Sequence, residues 1–127
     1  MVIVGFSALI GKPLALFLAN EIATVTIVHK NSRKEDLPFY VSNADVVISA
    51  AGYPGLIKGE WIKPGAVVID VGTAVKNGKI SGDVEFRAAE KRASFITPVP
   101  GGVGKLTTLC LFENLAFLAK LKKKTSR

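Results

Sequence analysis

From its amino end the chain alternates short apolar runs with longer mixed segments. MVIVG (1–5), ATVTIV (23–28), DVVISA (45–50), AVVIDVG (66–72) and ASFIT (93–97) are rich in Val and Ile and apolar at successive positions. A strand with one wet face alternates apolar with polar residues, whereas continuous apolar runs suit a parallel sheet covered on both sides. Between these runs, KPLALFLANE (12–21), SRKEDLPFYVSN (32–43), KGEWI (58–62), EFRAAEKR (85–92) and LTTLCLFENLAFLAKLKKK (106–124) read as helices of unequal length. Asn77 and Gly78 mark a turn in the one long loop after the fourth run. Strand and helix therefore take turns. That order predicts an α/β fold, a doubly wound, mainly parallel sheet with helices on both faces and right-handed crossovers. Ligands of such sheets lie at the carboxyl ends of the strands, which directs attention to the loops there.

The length of 127 residues implies one domain over 1–127, enough to bury about two thirds of the unfolded surface. No run approaches a membrane span, so a soluble chain without a membrane partner is expected. Met1 leads straight into VIVG with no charged n-region or cleavage site, and there is a single cysteine, Cys110. Both suit a reducing, cytoplasmic compartment. Cys110 lies in the last apolar segment and is expected as a buried thiol on a helix. The net charge of +7 suggests nucleic acid until it is located. Lys120, Lys122, Lys123, Lys124 and Arg127 carry most of it at the end of the last helix, and no aromatic residue is interleaved among them. Cations there complement the helix dipole, so a solvated tail is expected and no nucleic-acid partner.

The loops carry the chemistry. GFSALIGKP (5–13) follows the first strand, with Gly5 for a tight turn, Ser7 for a hydroxyl, Gly11 for close backbone approach and Pro13 for a first helical turn that needs no donor. Backbone N–H groups and the helix dipole favour an anion such as pyrophosphate there, although the spacing is not G-x-G-x-x-G. HKNSRK (29–34) follows the second strand, and no acid occurs until Glu35. A fold that binds NAD usually places an acid here for the ribose hydroxyls. Lys30, Ser32, Arg33 and Lys34 could instead hold a 2′-phosphate and select NADP, and a solvated basic turn fits equally well. His29 could meet the adenosine end or serve the strand end alone. AAGYPG (50–55) and DVGTAVKNGKISGD (70–83) follow the third and fourth strands with small residues that leave space above the sheet, and Asp70 and Asp83 are read as fixing these loops. TPVPGGVGKLT (97–107) comes last; two prolines and three glycines between 98 and 104 describe a shaped loop without side-chain bulk. A simple strand-to-helix connector needs fewer, so a binding loop is expected.

With these motifs assembled, the chain resembles the cofactor-binding domain of the methylenetetrahydrofolate dehydrogenase/cyclohydrolase family over nearly all its length. The family's G-x-S-x-x-V/I-G-x-P is similar to Gly5, Ser7, Ile10, Gly11 and Pro13; its G-x-P to Gly52 and Pro54; its IDVG to 69–72; its GDV to 82–84; its TPVPGGVGPMT to 97–104 and Thr107. The resemblance implies a Rossmann-like domain that binds NADP, with NAD possible. Cofactor-binding residues would be Gly5, Ser7, Ile10, Gly11, Pro13, His29, Lys30, Ser32, Arg33, Ala51, Gly52, Pro54, Val71, Gly72 and Thr73. Substrate-binding residues would be Pro98, Pro100, Gly101, Gly102, Val103 and Gly104, as a wall of a tetrahydrofolate pocket. No metal ligand is assigned. The resemblance also implies a homodimer, and it places the catalytic Lys with its Tyr, Gln and Asp partners in an amino-terminal domain, so no catalytic residue is expected here. Phe6 stands where the family commonly has Arg, Thr73 and Ala74 where it often has Ile and Asn, and Lys105 where it has Pro.

Three readings follow. The chain is the cofactor half of this bifunctional folate enzyme, inactive alone; or it is a non-catalytic nucleotide-binding or interaction module whose departures record lost activity; or it serves a different dehydrogenase, which TPVPGGVG argues against.

Overall fold

The computed structural model describes residues 1–21, 23–76 and 78–125. Its main sheet has five parallel strands: β1 (Val2–Val4), β2 (Thr26–Val28), β3 (Val46–Ser49), β4 (Val67–Asp70) and, after a two-stranded antiparallel hairpin of β5 (Ala74–Lys76) and β6 (Lys79–Ser81), β7 (Phe95–Ile96). The order across the sheet is β2-β1-β3-β4-β7. The helices are α1 (Gly11–Asn20), α2 (Leu37–Ser42), α3 (Phe86–Ala89) and α4 (Val103–Thr125), with short 3₁₀ turns at Lys34–Asp36 and Gly59–Trp61.

Alternate strand residues face opposite layers, as the pleat requires. Val2, Val4, Val47 and Val68 point to one side and pack with Leu37 and Val41 of α2, Ala89 of α3 and Ile57 and Ile62 from the connections. Ile3 and Ile48 point to the other and pack with Ala15, Leu14 and Leu18 of α1. The doubly wound sheet covered on both faces is therefore the observed fold. The continuous Val/Ile runs are its cause, since each strand must be apolar towards two layers.

Several boundaries differ from those expected. The strands are shorter than the apolar runs because the ladder passes into loops after a few residues, with Gly5 N–H still bonded to Val28 O and Ala50 N–H to Val4 O. The loop after β4 contains the β5–β6 hairpin, whose strands are too short and too polar to stand out. Asn77, expected in its turn, lies outside the described residues, as do Ser126 and Arg127 of the basic tail. The segment expected as one helix over 85–92 keeps only α3. Its remainder turns back towards β7, held by Arg92, whose Nε donates to Ile62 O and whose carbonyl accepts from Gly65 N–H.

The largest departure is α4. At 23 residues it extends about 35 Å, and its Leu106, Leu109, Leu111, Phe112, Leu115, Phe117, Leu118 and Leu121 are all exposed. Cys110, expected as a buried thiol, is a free and exposed one. The reason is the same: from Gly104 onward the described side chains of α4 lie exposed, and its apolar residues are left open to solvent. No helix among them is long and apolar enough to cross a membrane.

Candidate functional site

β1 and β3 are neighbours in the sheet, yet the chain leaves them towards opposite sides, so their following loops part and open a crevice. A cavity of about 770 Å³ lies there, between the loops after β1, β2 and β3. Its floor is apolar, with Val4, Val28, Leu37 and Leu56, and its rim carries Lys30, Arg33 and Lys34 beside Ser7 and Ser32. An apolar slot under a basic rim suits a flat heteroaromatic ring that carries phosphate.

The first loop is built by close backbone approach. Gly5 has φ 123°, and a Cβ there would strike the Ala50 carbonyl; a Cβ on Gly11 would strike that of Gly5. The base of the loop after β1 is thereby held against the base of the loop after β3 and against the start of α1, below the point where the loops part. Ser7 closes the turn, its Oγ accepting from Ile10 N–H at 3.1 Å and its carbonyl from Lys12 N–H at 3.0 Å. Gly5 and Ser7 line the cavity, whereas Ile10, Gly11 and Pro13 shape the loop behind it.

The turn after β2 is compact. His29 Nδ1 accepts from Asn31 N–H and Ser32 Oγ accepts from His29 N–H, each at 3.1 Å, which presents the basic side chains outward. Arg33 lies 3.6 Å from Asp36 at exposed positions, a weak pairing that leaves the guanidinium open to another anion. Lys12 was not foreseen. Its ammonium sits 5.1 Å from the centre of the Phe6 ring, and that ring is 6.0 Å from His29. A cation–π contact thus brings positive charge to the place where the resemblance expected Arg. The signal was available in Lys12 itself, directly after Gly11 in the same motif.

Two buried carboxylates organise the remaining loops. Asp83 is 0% exposed and accepts from Ser49 Oγ at 2.8 Å and from the N–H groups of Ala51 (2.7 Å), Gly52 (3.1 Å) and Tyr53 (2.6 Å). Asp70 is 3% exposed and accepts from the N–H groups of Gly72, Asp83 and Val84. Burial pushes the Asp70 carboxyl up to about 6; the three backbone donors pull against that rise, and repulsion from Asp83 adds to it. The glycines of IDVG and GDV now have a reason, because a Cβ on Gly72 would overlap the Asp83 carboxylate and one on Gly82 that of Asp70. Ala51 and Tyr53 line the main cavity. Pro54 instead faces a second cavity of about 490 Å³, shared with Gly82 and Val99. Gly52 and Thr73 are exposed, and Val71 packs on the α1 side of the sheet.

The loop after β7 is tied in by Thr97, whose Oγ1 accepts from Asp70 N–H at 2.8 Å. Beyond it the Val99–Pro100 peptide is cis and Gly101 has φ 109°. Gly102 N–H closes on Pro98 O at 2.8 Å. Pro98, Pro100, Gly101 and Gly104 are exposed, and Gly102 and Val103 half-buried. None of these six lines either cavity, though Val99 between them reaches the second. Val103 and Gly104 already belong to α4, and Lys105 in its first turn is exposed. Among the described residues no cluster could hold a metal ion.

A parallel sheet with a phosphate-suited crevice at its switch point defines a Rossmann-like nucleotide-binding domain. The particular family follows from comparison: the chain belongs to the tetrahydrofolate dehydrogenase/cyclohydrolase family, matching its NAD(P)-binding domain over residues 1–123. It is 57% identical over 121 residues to the bifunctional protein FolD 2 of Geobacter metallireducens, covering 94% of this chain and 42% of that protein. It is similar to the methylenetetrahydrofolate dehydrogenase-cyclohydrolase of Trypanosoma brucei, solved with NADP and an inhibitor, at 49% identity and TM-score 0.82, over 89% of this chain and 40% of that one. It is similar also to the silkworm methylenetetrahydrofolate dehydrogenase, at 39% identity and TM-score 0.88, over 97% and 45%. The chain therefore spans less than half the length of these relatives.

Proposed function

We propose that residues 1–127 form the cofactor-binding domain of an NADP-dependent methylenetetrahydrofolate dehydrogenase/methenyltetrahydrofolate cyclohydrolase. The observation that carries the choice of cofactor is the basic rim of the main cavity, where Lys30, Arg33 and Lys34 stand at the end of β2 in place of an acid. NADP, when bound, supplies the hydride acceptor for oxidation of the folate. The chain's own residues do the positioning: Gly5 and Ser7 shape the phosphate loop, His29, Lys30, Ser32 and Arg33 hold the 2′-phosphate end, and the bare surface of Ala51, Gly52 and Thr73 leaves room for the ring. The loop over 98–104 walls the folate. Positioning of this kind lowers a barrier by pre-paid entropy and needs no acid–base group from this chain.

The proton chemistry of both reactions then belongs to the part of the relatives' length outside this chain. The exposed apolar residues that recur along α4 support that division, since a helix that leaves many large apolar side chains in solvent offers an interaction face. Pairing of two copies through this domain and a cytoplasmic location complete the proposal; the exposed thiol of Cys110 suits a reducing compartment.

The test is to assay NADP reduction with methylenetetrahydrofolate, using first this chain and then this chain mixed with the amino-terminal part of a relative. Activity only on mixing is the expected result. Turnover by the chain alone would return Lys105, His29 and Asp83 to consideration as catalytic groups. The departures at Phe6, Thr73 and Lys105 favour a second reading, a binding module without catalysis, which predicts cofactor binding and no activity in either assay.

A further inference from the structure

Asp83 does more than satisfy its own charge. Its two oxygens collect Ser49 Oγ and three consecutive backbone N–H groups, those of Ala51, Gly52 and Tyr53. Its own N–H donates to Asp70 Oδ1, and Asp70 N–H donates to Thr97 Oγ1. One hydrogen-bonded chain therefore runs from the loop after β3, through both carboxylates, to the loop after β7. Gly72 and Gly82 leave the space it occupies. We propose that Asp83 is a positioning residue for the cofactor, holding the loop over 51–53 as a rigid wall for its nicotinamide half and fixing that wall relative to the loop over 97–104. The inference rests on the functional reading above.

The geometry gives it a signature. Ala51 and Tyr53 line the same cavity as the turn after β2, but the adenosine end would be held there chiefly by the basic groups of that turn, which Asp83 does not touch, so loss of the carboxylate should act mainly on the other half of the ligand. Asp83→Asn keeps the shape but turns one acceptor into a donor that faces backbone donors. Calorimetric titration of the chain with NADP and with 2′,5′-ADP, which lacks the nicotinamide half, separates the two ends. Asp83→Asn is expected to weaken NADP about tenfold or more and 2′,5′-ADP less than about twofold. Amide exchange at residues 51–53 should quicken in the unliganded variant. Ser49→Ala, which removes one donor of four, carries the same test if Asp83→Asn does not fold, with an NADP-selective loss of about threefold expected. Equal loss of both ligands, or unchanged NADP affinity, overturns the positioning role while leaving the cofactor reading intact. A wild-type chain that binds neither ligand overturns both.

Discussion

Asp70 makes the stability of this domain depend on pH in an unusual direction. Its carboxyl titrates near 6 in the folded chain against an ordinary 3.8, so the folded state holds the proton more tightly than the unfolded one. Stability then falls as pH rises from about 4 to about 6 and levels off above that. The difference of about two pH units corresponds to roughly 3 kcal/mol between the protonated and ionised limits. Asp45 has the opposite sign: Lys63 beside it holds its carboxyl below the ordinary value, and the contribution disappears on acidification. Comparing the wild type with Asp70→Asn cancels Asp45 and isolates Asp70. The variant loses one acceptor for three backbone donors, so it should be less stable throughout by about 1–3 kcal/mol. Its deficit should also grow by about 2 kcal/mol between pH 7 and about pH 4.5, as the wild type gains what the variant cannot. Urea melts followed by far-UV circular dichroism at several pH values measure this. A deficit that stays constant would refute burial as the dominant influence on Asp70. One that shrinks on acidification would show that the three N–H donors outweigh it.

Other outcomes follow from the same contacts. Gly5→Ala must place a Cβ against the Ala50 carbonyl at φ 123°, so NADP binding should be lost and the melting midpoint lowered, as fluorescence titration and thermal melts would record. Arg33→Ala should weaken NADP about tenfold and NAD less than about twofold, consistent with one charge-assisted hydrogen bond of about 1.5–3 kcal/mol; equal effects would remove Arg33 from the 2′-phosphate site. Replacing Leu111, Phe112, Leu115 and Leu118 of α4 with Glu or Lys should leave the NADP affinity of the lone chain unchanged and abolish the activity gained on mixing with an amino-terminal partner. Survival of that activity would show that α4 is not the docking surface.

Much of this was legible in the sequence. The Val/Ile runs report burial between two layers directly, and the loops at their carboxyl ends stood out through glycine and proline. HKNSRK could be placed on the crevice because strand order in a doubly wound sheet brings the end of β2 beside that of β1. What stayed hidden depends on contacts through space. Asp70 and Asp83 could be read as loop-fixing residues, but not that each sits where a glycine of the other's motif has no side chain, a relation across 13 positions. The contact of Lys12 with Phe6 required the curvature of the loop. The exposure of α4 and Cys110 was misjudged because an apolar helix reads as core whether its partner lies in the same chain or elsewhere.

The cofactor role proposed for this domain requires NADP to bind in the crevice through its basic rim. Calorimetric titration of the unmodified chain with NADP and NAD at low and moderate salt tests it most directly. One charge-assisted contact to the 2′-phosphate accounts for at least about tenfold preference, and a surface-exposed rim should lose part of it as salt rises. Tighter binding of NADP, with a margin over NAD that narrows at higher salt, is the predicted result; equal affinities or tighter NAD binding would contradict it.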